Sequence, residues 1–199
     1  MRASDYRYRQ HRRAFDLALR MLRHEALTST ICQWTGLSGS LVRKFYKSYL
    51  RESAKRHRGV HPWKLETFLS SGPRRLEATR WAHYCEALHV LPHEHLIDPE
   101  RALPSIERGH LLCAAFERFK AWGPGQASMT LEQAIMLLMA FAKGEVVQLV
   151  ICENCGARNL IDRLGSSRTQ QCEWCLAAER LGSTVSASAI GADRTHALL

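Results

Sequence analysis

Two cysteine pairs near the C-terminal end organise the rest of the chain: Cys-Glu-Asn-Cys at residues 152–155 and Cys-Glu-Trp-Cys at residues 172–175. Sixteen residues separate the pairs. That spacing is typical of zinc ribbons, and four thiolates match the tetrahedral preference of Zn²⁺. Gly156 directly follows the first pair, where a positive φ lets the chain turn and aim backbone N–H groups at the sulfurs. The pattern predicts one structural zinc ion per chain, bound by Cys152, Cys155, Cys172 and Cys175.

Disulfide bonds and a redox switch are the alternatives to zinc at these cysteines. Four sulfur ligands would close the site and leave no position for a substrate. A zinc deaminase would need His-x-Glu with Pro-Cys-x-x-Cys, and a metalloprotease would need His-Glu-x-x-His. The chain has no such histidine motif, and Ile151 precedes the first pair. The sequence therefore predicts a protein that is not an enzyme.

Composition favours a soluble protein of the cytoplasm. The chain has 199 residues, of which 46% are hydrophobic, so it can form a substantial core. The longest strongly apolar run covers residues 133–142, far short of the roughly 20 that a membrane helix needs. Asp16 and Arg20 interrupt the apolar pattern near the N-terminus, so a secretory signal is not expected. Seven cysteines without an export signal indicate a reducing compartment, where thiols bind metal.

Positive charge is concentrated in the first 60 residues. They contain fourteen Lys or Arg and four Asp or Glu, whereas the other residues contain fourteen and fifteen. Such a field attracts phosphate backbones or anionic surfaces.

Apolar periodicity predicts a mainly α fold, with helices over residues 8–24, from Arg74 to before Pro92, over 105–122 and over 130–144. Val146 to Ile151 is β-branched and leads into the first cysteine pair, so a strand is expected there. Three parts follow. Residues 1–145 form a helical body with a basic N-terminal arm, residues 146–182 form a zinc-ribbon-like module, and residues 183–199 form a flexible tail.

A helix-turn-helix-like segment is predicted between Thr28 and Lys47. Gly36 lies four residues after the small Cys32, where the turn between two helices needs a permissive backbone. Leu41, Val42 and Phe45 would seat the second helix, and Ser38 or Ser40 would cap it. The same pattern can be plain helical core. In the DNA-binding interpretation, the candidate contacts are Arg43, Lys44, Lys47, Arg51, Lys55, Arg56 and Arg58.

The combination of motifs resembles FlhC, the subunit of the bacterial flagellar master transcriptional activator that works together with FlhD. The resemblance covers roughly residues 14–180. It is carried by Gln148-Leu-Val-Ile-Cys152-Glu-Asn-Cys155-Gly156, by Cys172-Glu-Trp-Cys175, and by Gly59-Val-His-Pro62-Trp63 with Phe68. Thr67, where tryptophan is expected, and the long basic extension before Asp16 depart from the family pattern.

The resemblance implies a mostly helical fold with one structural zinc on the four cysteines. It also implies a hetero-oligomer of four FlhD and two FlhC that binds promoter DNA and recruits RNA polymerase. The expected function is therefore a DNA-binding activator subunit for flagellar (motility) gene promoters. The alternatives are an RNA-binding or ribosome-associated zinc protein and a redox-sensing zinc regulator. Five tryptophans, among them Trp63, Trp81 and Trp122, favour an aromatic surface reserved for a partner.

Overall fold

The computed structural model describes residues 3–49, 64–65, 68, 71–90, 104–121, 128–144, 147–162 and 171–180. Over these residues the chain is mainly helical, as predicted, with one two-stranded sheet. The elements are α1 (Ala3–Arg23), α2 (Thr28–Thr35), α3 (Gly39–Tyr49), α4 (Gly72–Ala87), α5 (Ile106–Ala121), α6 (Leu131–Lys143), β1 (Val147–Ile151), β2 (Arg158–Asp162) and α7 (Glu173–Arg180).

Several bounds and elements differ from the sequence prediction. Helix α1 begins at Ala3 and not at residue 8. Helix α4 begins at Gly72 and not at Arg74, with Pro73 in its first turn, where the missing N–H of proline is harmless. Strand β2 and helix α7 were not predicted, because each is too short to show a clear period in the sequence.

Trp81 of α4 lies at the centre of the helical core. Its side chain is fully buried, and its ring packs edge-on against Phe116 and Phe119 of α5, with centroids 6.0 and 5.5 Å away. Its indole N–H donates to the carbonyl of Ala134 in α6 at 2.9 Å, which satisfies the only polar atom of the ring. One side chain thus joins three helices. Trp81 is therefore core and not partner surface, and the other two tryptophans of that prediction, Trp63 and Trp122, lie outside the described residues.

A carboxylate on α5 fastens α1 to the core. The Nε and NH2 atoms of Arg20 donate to the two oxygens of Glu117 at 2.7 and 2.6 Å, and Nε2 of His24 lies 3.0 Å from the same carboxylate. The hydrogen bond from Arg20 lowers the pKa of Glu117 to about 2, against the opposing effect of burial and with further help from His24. The carboxyl group therefore stays ionised over most of the acidic range.

Glu117→Gln should destabilise the fold in a pH-dependent way. The folded-state pKa lies below the ordinary value of 4.5, so the stabilisation is complete above pH 4.5 and is lost as pH falls toward 2. The side chain is 41% exposed. Solvent screening therefore reduces the expected loss at pH 7 to about 1–2 kcal/mol of unfolding free energy. Urea unfolding followed by circular dichroism at several pH values measures it.

Glu107→Gln is the matched control, because Glu107 pairs with Arg13 of α1 in a more exposed position. It should change stability by well under 1 kcal/mol. A Glu117→Gln variant whose deficit stayed constant down to pH 2 would contradict the assignment.

A three-residue turn joins α2 to α3. Gly36 ends α2 with a φ of 72°, and its N–H donates to the carbonyl of Cys32 at 2.9 Å, which is the left-handed termination expected of glycine. Ser38 caps α3, since its hydroxyl accepts from the N–H of Leu41 at 3.4 Å, and the hydroxyl of Ser40 forms a hydrogen bond with that of Ser38 at 3.1 Å. Val42 is buried, and Leu41 and Phe45 are half-buried. The side of α3 predicted to pack inward does so.

Glu132 of α6 caps the start of α2 from a distance in sequence. Its carboxylate accepts from the N–H of Leu27 at 2.7 Å and from the Thr30 hydroxyl at 2.8 Å. A negative charge at a helix N-terminus stabilises that helix. Helix α6 itself begins with a capping box, the Thr-x-x-Gln pattern of residues 130–133, in which the side chains of Thr130 and Gln133 accept from each other's backbone N–H groups at 3.3 and 2.9 Å. Residues 130–133 at the start of α6 therefore stabilise the N-termini of both α2 and α6.

No helix in the described parts of the chain is both long and apolar enough to cross a membrane.

Candidate metal centre

A β-hairpin carries the first cysteine pair at its tip. Strands β1 and β2 are antiparallel, with Val147 opposite Asp162 and Ile151 opposite Arg158. The turn between them is closed by two backbone bonds, from Cys152 N to Ala157 O at 2.8 Å and from Gly156 N to Cys152 O at 2.9 Å. Gly156 has a φ of 72°, as predicted from its place after the pair.

Helix α7 carries the second pair at its N-terminal end. Cys172 immediately precedes the first helical residue, its carbonyl accepts from the N–H of Leu176 at 3.0 Å, and Cys175 lies in the first turn. The N–H of Cys172 points across the site and donates to Sγ of Cys152 at 3.3 Å. The start of the helix therefore aims both its cysteines at the hairpin tip.

The four sulfurs form a compact cluster. All four Sγ atoms lie within 4.8 Å of one another, with 3.8 Å between Cys152 and Cys175 and 3.6 Å between Cys155 and Cys172. A Zn–S bond of about 2.3 Å in a tetrahedron places sulfurs about 3.8 Å apart. A disulfide would need about 2.0 Å, and all four cysteines are free thiols. The cluster can therefore hold a metal ion such as zinc.

Backbone N–H groups lower the pKa of one cysteine of the cluster, Cys152. Burial raises the pKa of Cys152, but the N–H groups of Cys155, Cys172 and Asn154 together outweigh it and lower the pKa to about 6. These donors therefore favour the thiolate form of Cys152, the form that binds a metal ion. Burial raises the pKa of Cys172 and of Cys175, so a metal ion must displace protons from these thiols when it binds.

Helix α4 is the platform on which the cysteine module sits. Arg75 pairs with Glu173 of α7 at 2.9 Å, and the Thr79 hydroxyl accepts from the N–H of Leu160 in β2 at 3.0 Å. Near the end of α4, Glu86 binds the guanidinium of Arg158 through two bonds of 2.8 Å each. These three attachments hold both halves of the module against one helix. In the sequence, α4 showed only an apolar stripe, and no signal there identified these partners.

The guanidinium of Arg158 binds the carboxylate of Glu86 in α4, and among the described residues no hydrogen bond joins it to a cysteine sulfur of the cluster. The fit of the cluster to a metal rests on the thiols and on backbone N–H groups.

The candidate DNA contacts divide into a described and an undescribed set. Arg43, Lys44 and Lys47 are exposed on α3 and have no acidic partner among the described residues. The rest of the predicted set lies outside the described residues, namely Arg51, Lys55, Arg56 and Arg58. Residues 59–63, Thr67 and the predicted flexible tail, 183–199, also lie outside them.

No protein-family model matches this chain, and no curated protein matches it.

Proposed function

We propose that this chain is the DNA-binding subunit of a bacterial transcriptional activator that works with an FlhD-like partner at flagellar gene promoters. The observation that carries the proposal is the two-sided character of α3. Its inner side packs through Val42 against the core, and its outer side presents Arg43, Lys44 and Lys47 to solvent. Cations on an exposed helix suit the major groove and its phosphates.

The connection between α2 and α3 supports a helix-turn-helix interpretation. The turn has three residues, begins with a left-handed glycine, and leads into a capped second helix. Helix α3 has eleven residues, which at 1.5 Å each is about 16 Å, enough to cross a major groove about 12 Å wide. In this interpretation α3 is the recognition helix.

The metal centre is proposed to hold one zinc ion per chain in a structural role. With Cys152, Cys155, Cys172 and Cys175 as ligands, the ion would join the hairpin tip to the start of α7. Four protein sulfurs fill a tetrahedral site, so no position is left for substrate or water. We therefore assign no catalytic activity to the protein.

The proposed assembly contains four FlhD-like subunits and two copies of this chain, by resemblance to FlhC, and it recruits RNA polymerase to the promoter. One chain offers a single candidate recognition helix. Activators gain affinity and register by presenting two such helices at fixed spacing. A partner that pairs two copies supplies that spacing.

A competition assay tests the proposed function. Labelled flagellar promoter duplex, bound by the coexpressed complex, is challenged with unlabelled promoter duplex, scrambled duplex or single-stranded RNA of equal length. Promoter duplex should compete best. Stronger competition by RNA would instead favour the RNA-binding alternative. Release of zinc by mild oxidant, with loss of binding restored by reductant, would favour the redox-sensing alternative.

Expression without a partner should give a protein that is poorly soluble or self-associates. Coexpression with an FlhD-like subunit should give a stable complex, because the partner covers surface that the single chain leaves exposed. Size-exclusion chromatography with light scattering measures the mass of each form. A soluble monomer that binds its promoter fully without any partner contradicts this prediction.

A further inference from the structure

A continuous row of rings joins the N-terminal half of α1 to α3. The ring of His11 lies 5.8 Å from that of Phe15, Phe15 lies 5.2 Å from Phe45 of α3, and Phe45 lies 6.2 Å from Tyr49. The contact between Phe15 and Phe45 places the α3-facing side of α1 at Phe15, and His11, one turn earlier in α1, lies on the same side. Helix α1 therefore runs beside α3, next to the helix proposed to enter the groove.

The arginines of α1 occupy two different sides of that helix. On one side, Arg13 pairs with Glu107 and Arg20 with Glu117, both on α5. On the side of Phe15, residues three, four, seven and eight positions earlier share its face by helical periodicity. These are Arg12, His11, Tyr8 and Arg7, all exposed. Arg7 and Arg12 have no acidic partner among the described residues.

Helix α2 is poorly suited to contact phosphates. It contains no Lys or Arg. Its N-terminus, the end that commonly binds an anion, is already occupied by the carboxylate of Glu132, which bonds the N–H of Leu27. That carboxylate repels phosphate. In a helix-turn-helix the first helix crosses the DNA backbone, so another element must supply the flanking contacts here.

We propose that the N-terminal half of α1 is a second DNA-contacting helix, with Arg7 and Arg12 neutralising phosphates beside the groove occupied by α3. The inference rests on the proposed function. Tyr8 and Tyr49 are 69% and 67% exposed at the two ends of this surface. Their hydroxyls donate to phosphate oxygens, as neutral side chains commonly do at duplex interfaces. The ligand is duplex DNA in general, since backbone contacts carry no sequence information.

The test compares two double variants of one helix with equal change in charge. Arg7→Ala/Arg12→Ala removes the two cations on the side of α1 that faces α3. Arg9→Ala/Arg13→Ala is the control: Arg13 pairs with Glu107 of α5, and Arg9, one turn earlier, lies on the same side of the helix. The full-length, zinc-loaded protein in complex with its partner is titrated with a random-sequence duplex between 50 and 200 mM salt. Each lost phosphate contact should reduce the slope of log affinity against log salt by about 0.9.

Arg7→Ala/Arg12→Ala should therefore lower the slope by about 1.8, and the loss of affinity over this salt range should shrink about tenfold. The control double variant should keep the wild-type slope. Tyr8→Phe/Tyr49→Phe should weaken binding with an unchanged slope, because a neutral donor displaces no counterion.

Equal slopes for the two arginine variants would overturn the inference while leaving DNA binding intact. If the wild-type complex bound no duplex at all, the proposed function itself would fail. Circular dichroism and zinc content establish that each variant is folded.

Discussion

Cys172→Ser should abolish metal binding and unfold the cysteine module, while the helical body stays at least partly folded. Structural zinc contributes on the order of 10–16 kcal/mol of apparent binding free energy in small zinc modules at neutral pH. No histidine lies between Cys152 and Arg180 to replace the lost thiolate. The serine also lies at the junction of the hairpin and α7, where Cys172 N–H meets the Cys152 sulfur. Metal analysis gives the zinc content, and hydrogen exchange shows which segments lose protection.

Cys32→Ser is the matched control. Cys32 is a half-buried free thiol in α2, outside the cluster. This variant should keep one zinc per chain and a protected module. A Cys172→Ser protein with full zinc content would refute the four-cysteine assignment.

The affinity of the complex for duplex DNA should fall steeply with salt. If six to ten phosphates are neutralised, affinity decreases about 10³ to 10⁵-fold between 50 and 200 mM salt. Lys47→Ala with Arg51→Ala should weaken binding to every sequence and flatten this dependence. Arg43→Ala or Lys44→Ala should instead reduce discrimination between promoter and scrambled duplex, because these residues would face base edges. Fluorescence anisotropy across a salt series measures both quantities.

Arg118→Ala is a suitable control for the salt series, since Arg118 is an exposed cation on α5. It should leave both salt dependence and discrimination unchanged. If the α3 variants also bound promoter and scrambled duplex as the wild type does, α3 would be ordinary core and not a recognition helix.

Local signals in the sequence predicted the parts of the fold that depend on neighbouring residues. Apolar periodicity located α1, α4, α5 and α6, and the Thr130–Gln133 capping box marked the start of α6. Cysteine spacing and Gly156 identified the candidate metal cluster. The residues that predicted each helix lie within a few positions of one another. The two cysteine pairs lie farther apart, but Cys-x-x-Cys is specific enough to be recognised at that distance.

Contacts between distant residues could not be predicted in this way. Glu132 accepts a hydrogen bond from the N–H of Leu27, more than a hundred positions away in the sequence. Its neighbours Thr130 and Gln133 form a local capping box, so nothing in the sequence indicated that Glu132 would cap a different helix. The pairing of Glu86 with Arg158 likewise follows from how α4 and the hairpin pack. The basic run from Arg51 to Arg58 lies outside the described residues, so its contacts remain predictions from charge alone.

The cysteine module packs on α4, a helix that is synthesised well before the module. During synthesis, N-terminal parts of a chain fold first. Thr79 meanwhile donates its hydroxyl to the carbonyl of Arg75 in its own helix at 2.8 Å, so it needs no outside acceptor. Its free lone pairs later receive the N–H of Leu160. With zinc in the structural role proposed above, a cell short of zinc would accumulate chains with a folded helical body and an unfolded cysteine module, and metal supply would limit how many chains fold completely.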